Sequence, residues 1–66
     1  MNRKEVGKTL RSLRGQKSTS DVAKAIGVTP NAILNWENGI RIPRDELKEK
    51  IANYYHVKPG DIFFED

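Results

Sequence analysis

Three asparagines, Asn31, Asn35 and Asn38, recur four and three residues apart. On a helix turning about 100° per residue they gather on one side, while Ile33 and Trp36 fall together on the opposite side. An asparagine amide holds an acceptor and two donors in one plane, the pattern that pairs bidentately with the N6/N7 edge of adenine. Asparagine is also a mediocre helix former, so three on one face make poor helix design unless that face is used. The plainer role, solvating an exposed helix, leaves that cost unexplained. Asn31 and Asn35 are therefore the first candidates for base contact. Pro30 and Leu34, at the edge of the same face, are placed to touch thymine methyl groups.

Such a face needs elements that can present it. The stretch 18–39, S-T-S-D-V-A-K-A-I-G-V-T-P-N-A-I-L-N-W-E-N-G, reads as two short helices joined by a tight turn. Ser18 can cap the first, over 19–26, with Asp21 three residues on in a capping-box position. Val22, Ala23 and Ile26 give it an apolar stripe, and Gly27 ends it where a left-handed residue is usually needed. Thr29 caps the second, over 30–38, Pro30 sits in its first turn, and Gly39 closes it. Only Val28 and Thr29 lie between Gly27 and Pro30, so the helices must cross steeply. That is helix-turn-helix geometry, which offers its second helix to the major groove.

The remaining chain reads as three more helices and no strand. The first covers 2–14, with Asn2 and Glu5 at capping-box spacing and Val6, Leu10 and Leu13 as its apolar stripe. Pro43 ends an irregular loop and opens a helix over 44–55. There Leu47, Ile51, Tyr54 and Tyr55 form the buried face, and Asp45, Glu46, Lys48, Glu49 and Lys50 the wet one. Pro59 starts a short fifth helix carrying Ile62 and Phe63. Residues 1–66 are read as one all-α domain.

Composition narrows the function classes. Sixty-six residues without cysteine leave no disulfide, thiolate zinc site or cysteine nucleophile, and little core in which to bury a substrate. The glycines at 7, 15, 27, 39 and 60 form no phosphate loop, and no acid–base–nucleophile set is evident. An enzyme is thus the weakest reading, and no cofactor, metal or small-molecule ligand is expected. One histidine cannot hold a metal alone; His56 reads as a helix C-terminal cap. No apolar run spans a membrane and no signal peptide opens the chain, so the expectation is a soluble cytoplasmic protein. The net charge of +3 is uneven. Through Lys17 six cations (Arg3, Lys4, Lys8, Arg11, Arg14, Lys17) face one anion, Glu5, whereas from Ser18 onward six cations face eight anions. A basic amino-terminal part beside a helix-turn-helix points to a polyanion partner.

The stretch 18–39, followed by Ile42-Pro43-Arg44-Asp45-Glu46-Leu47 and Pro59-Gly60-Asp61-Ile62-Phe63-Phe64, resembles the Cro/phage-repressor (XRE) family of helix-turn-helix regulators. It looks most like the small versions found on prophages and mobile elements of Firmicutes. The likeness covers nearly the whole chain and is strongest at Ala23 and Gly27 in the turn and at Trp36-Glu37-Asn38-Gly39. It implies a five-helix, lambda-repressor-like DNA-binding domain. Members often have glutamine at the start of helix 2, clamping a phosphate; here the shorter Thr19 stands in that place. They often carry a basic residue close to the minor groove near Arg44. In the family Glu37 pairs with an arginine from the end of helix 1, which implies Arg14, or Arg11 if the shortened loop shifts the register.

Phosphate anchoring is expected from backbone N–H groups at the starts of helices 2 and 3, assisted by Thr19 and Thr29. Asn38, Gly39 and Arg41 are placed to hold the other side of the groove. The aromatic carboxyl end, with Tyr54, Tyr55, Phe63 and Phe64, is large for so small a core. Some of it must be core, and Tyr54 or Tyr55, Ile62 and Phe63 have the helical spacing for it. Phe64, next to Phe63, cannot point the same way, so one ring stays exposed or meets a partner. A homodimer contact through Tyr55, Phe63 and Phe64 is therefore expected. The leading function is a sequence-specific regulator of double-stranded DNA, a repressor binding a palindromic operator as a dimer. The alternative is an antitoxin that masks a toxin protein and autoregulates its operon through the same motif.

Overall fold

Each helix begins where an oxygen atom can receive its first N–H groups. The Asn2 side chain accepts from the N–H groups of Lys4 and Glu5 at 2.9 and 3.2 Å. Ser18 Oγ accepts from Asp21 at 3.0 Å, and Thr29 Oγ1 from Ala32 at 3.2 Å. In the computed structural model, which describes residues 2–64, these caps open α1 (Arg3–Arg14), α2 (Thr19–Ile26) and α3 (Pro30–Glu37). α4 (Asp45–Tyr55) and α5 (Pro59–Phe63) follow, and no strand occurs among the described residues. The fold is all-α, as the sequence predicts.

Three boundaries differ from the sequence reading: α1 starts at Arg3, with Asn2 as its cap rather than its first residue, and the end of α3 and the start of α4 also move. α3 stops at Glu37 because Gly39 turns left-handed (φ 73°) and returns the Ile40 N–H to the Asn35 carbonyl at 2.9 Å. The Gly39 N–H reaches the Trp36 carbonyl at 3.2 Å, so Asn38 caps the helix and the bond pair is a Schellman closure. α4 starts at Asp45, after an extended Arg44 whose carbonyl accepts the Leu47 and Lys48 N–H groups. His56 ends α4 in the left-handed region, at φ 60°.

Packing centres on α3. α1 and α2 both lie on it, α4 joins α2 to α5, and α5 closes back on α1. Val6, Leu10, Val22, Ile26, Ile33, Trp36, Ile51, Ile62 and Phe63 form the core with Ala23 and Ala52. Two lysines serve the fold. Lys50 Nζ donates to the Ile26 carbonyl at 3.2 Å, satisfying an acceptor at the end of α2. Lys48, expected on the wet face, is only 8% exposed: its ammonium stands 5.6 Å from the Phe63 ring centroid and 3.2 Å from Asp45. A long aliphatic stem can cover apolar surface while its head stays polar-bound. A small, partly open hollow lined by Leu10, Val22, Ile26 and Tyr55 measures about 10 Å³, room for at most a water.

Gly7 sets how closely α1 approaches α3. A methyl group there would collide with the Glu37 carbonyl oxygen and stand 2.8 Å from that of Trp36. The obstacle is backbone, which cannot rotate away. Gly7→Ala should destabilise the fold by about 2–3 kcal/mol despite alanine's better helix propensity. Urea unfolding at equilibrium checks this; an unchanged or raised midpoint would contradict so tight a contact.

Candidate nucleic-acid interface

α3 divides into two faces. Ile33 and Trp36 are buried, at 3% and 6% exposure, against α1 and α2. Pro30, Asn31, Leu34 and Asn38 are exposed and Asn35 is partly so. The proposed base-reading residues thus share the outer side of one helix. Leu34, 41% exposed, is the large apolar side chain on that side.

Glu37, the last residue of α3, faces inward. Arg14 Nε lies 2.6 Å from its Oε2 and Nη2 lies 2.9 Å from Oε1, a two-pronged pair. Of the two arginines implied for this role, Arg14 holds it. Its third nitrogen, Nη1, donates to the Lys17 carbonyl at 2.8 Å, tying the α1–α2 loop to the same point. The Glu37 side chain is 3% exposed and that of Arg14 16%. The hydrogen bond to Glu37 holds the Arg14 pKa above its ordinary value against the opposing effect of burial. With this carboxylate consumed, the outer side of α3 presents amides and no anion to an approaching phosphate chain.

The phosphate candidates fall into three groups. Thr19 and Thr29 stand at the amino ends of α2 and α3. The Thr29 oxygen is used by the Ala32 N–H, but its own O–H remains a donor. Asn38, Gly39 and Arg41 sit at the other end of α3, where the Asn35 carbonyl accepts the N–H groups of Ile40 and Arg41 at 2.9 and 3.3 Å. Exposed Arg44 stands apart, at the head of α4.

The expected dimer residues differ in burial. Phe63 is fully buried, with no exposed area, and is corrected to a core residue. One turn of α5 suffices to bury Ile62 and Phe63 together, so the adjacent rings resolve into one inside and one outside. Phe64 is the outer one, 44% exposed. Tyr55 is partly buried, its ring edge-on to Tyr54 at 5.0 Å between centroids. Sequence reasoning missed Gly7 and Lys50 as positioning residues. A glycine inside a helix costs about 1 kcal/mol relative to alanine, and that was the available signal for Gly7; Lys50 gave none.

Two short helices packed together across a tight turn, the second capped and carrying an exposed amide face, define a DNA-binding helix-turn-helix protein. Residues 10–62 match the family model HTH_3, helix-turn-helix. The chain belongs to this XRE-type helix-turn-helix family of DNA-binding regulators. No curated protein matches it. Among solved structures, the SOS-response transcriptional repressor LexA from Eubacterium rectale is 30% identical with a TM-score of 0.88, the match covering 98% of this chain and 70% of that one. The clp gene regulator ClgR from Corynebacterium glutamicum shares the fold at 24% identity and TM-score 0.84, over 97% of this chain and 70% of that one. A second crystal structure of ClgR is covered to 85%. These neighbours are named as a transcriptional repressor and a gene regulator. Among the described residues no helix is long and apolar enough to cross a membrane.

Burial, and secondly the Glu37 charge, push the Tyr55 hydroxyl pKa up from 10.0 to about 12. A pKa raised in the folded state favours the fold while the group is protonated. The contribution is therefore intact below about pH 10 and lost as pH climbs through 12. In a Tyr54→Phe variant, where Tyr55 is the lone tyrosine, ultraviolet titration should place its ionisation near pH 12. A midpoint near 10 would show the hydroxyl to be solvated.

Proposed function

We propose that the protein is a sequence-specific transcriptional regulator that lays α3 in the major groove of duplex DNA. It acts in the cytoplasm as a repressor, with residues 1–66 forming one DNA-binding domain and two copies meeting on a palindromic operator. The observation that carries this reading is the outer face of α3, amide-rich and free of anions, on a helix whose inner face is locked. Asn31 and Asn35 read adenine edges, and Leu34 and Pro30 meet thymine methyl groups. Thr19, Thr29, Asn38, Gly39, Arg41 and Arg44 hold the backbone and set the register.

Dimerisation follows from information content. One helix reads only a few base pairs, too little to select a site in a genome. Two recognition helices about 34 Å apart on one side of the duplex double the readout. With Phe63 inside the core, Phe64 is the exposed aromatic available for a two-fold contact.

Selection from random duplexes should recover half-sites spaced by about one helical turn. On the selected duplex, Asn35→Ala should cost about 1–3 kcal/mol per half-site and relax preference at one base pair, whereas Arg41→Ala should weaken all sequences alike. Equal losses of specific and non-specific binding in Asn35→Ala would move the reading face elsewhere.

Phe64→Asp should lower dimerisation and operator affinity and leave the monomer folded. Sedimentation of both proteins with and without DNA decides it. A variant as dimeric as wild type would place the interface on another surface, and co-purification of a stoichiometric second protein would favour the antitoxin reading.

A further inference from the structure

The left-handed turn at Gly39 carries the chain back across the first turn of α1. A Cβ at Gly39 would lie 3.3 Å from Lys4 Cα, so the loop passes close to the α1 backbone. Arg3 crosses the gap, its Nη1 donating to the Ile40 carbonyl at 3.2 Å. Between these segments lies a broad, open hollow of about 530 Å³ lined by Arg3, Ile40, Arg41 and Ile42. Two guanidinium-bearing residues line it and no acid does.

We propose that this hollow is a seat for one phosphate of the DNA backbone, clamped by Arg3 from α1 and Arg41 from the loop after α3. The bond to Ile40 uses one of five guanidinium N–H donors and fixes the planar head at the rim. The remaining donors suit two-pronged capture of a phosphate. Ile40, 57% exposed, supplies an apolar wall against the neighbouring deoxyribose. A free phosphate ion would gain little from so open and half-apolar a hollow, which favours the polymer. The seat is also mechanically coupled to base reading. The Asn35 carbonyl accepts the N–H groups of both Ile40 and Arg41, so a phosphate held there fixes the residue proposed to read adenine.

This inference rests on the proposed function, and the two fail separately. Binding of wild type, Arg3→Gln and Arg3→Lys is measured by anisotropy on the duplex selected by the wild type and on a scrambled duplex, across a salt series. Failure of wild type to bind either duplex sinks the proposed function and this seat with it. If wild type binds, Arg3→Gln should lose about 5–10-fold in affinity on both duplexes near 0.1 M salt, and its log–log salt slope should shrink by about 1 per monomer. Arg3→Lys should restore most of the slope, because the charge returns, but not the full affinity. An Arg3→Gln protein with unchanged slope overturns the seat, whether affinity is retained or lost; the latter outcome would leave Arg3 a loop tether only. Competition by inorganic phosphate in the millimolar range, specific to wild type over Arg3→Gln, would also overturn it by making the hollow a free-anion site.

Discussion

The placement of α3 depends on a single residue at its end, Glu37. Its carboxylate is gripped by Arg14 and its carbonyl lies against Gly7, seven residues earlier on the same helix. Seven residues are about two helical turns, so both contacts lie along one side of α1. A buried ion pair adds little net stability over an apolar pair of equal volume, but removing one partner strands the other and costs about 3–5 kcal/mol. The pair thus penalises displacement more than it rewards folding. Gly7 sets the distance between the helices, Arg14 sets the rotation, and Tyr55 of α4 lies close enough to feel the charges of the pair.

This arrangement changes the meaning of the charge pattern. The six cations through Lys17 suggest a uniform basic surface. Two of them are engaged elsewhere, Arg14 on Glu37 and Lys17 with its ammonium 4.9 Å from the Tyr54 ring centroid, whereas Arg3 gives one N–H to the Ile40 carbonyl and keeps its other donors. Only part of the positive charge is therefore available to phosphates, and position matters more than total. Glu37 shows the same economy in reverse. It is an acid on the recognition helix, yet its charge is spent inside the protein.

The helix-turn-helix was legible because its signals are local. Ser18, Gly27, Thr29 and Pro30 each act within a few residues of their own position, and the asparagine face follows from helical periodicity alone. The errors arose where distant segments decide. Helical spacing offers Phe63 to the core while its aromatic type offers it to a partner. Only the packing of α5 on α1 and α4 settles that its ring is buried and that of Phe64 exposed. Lys48 reads as a surface residue until Phe63 is found beneath it. Gly7 looks like a weak spot in α1 until the end of α3 is placed against it.

The central claim is that the outer face of α3, with the loop that follows it, is the surface that meets DNA. Amide chemical-shift mapping of the labelled protein titrated with its selected duplex tests this most directly. The account predicts the largest shifts at Thr19, along Asn31, Leu34, Asn35 and Asn38, and through Gly39 to Arg41, with small shifts at Ile51, Ile62 and Phe63. Shifts concentrated on α4 and α5, with α3 undisturbed, would contradict it.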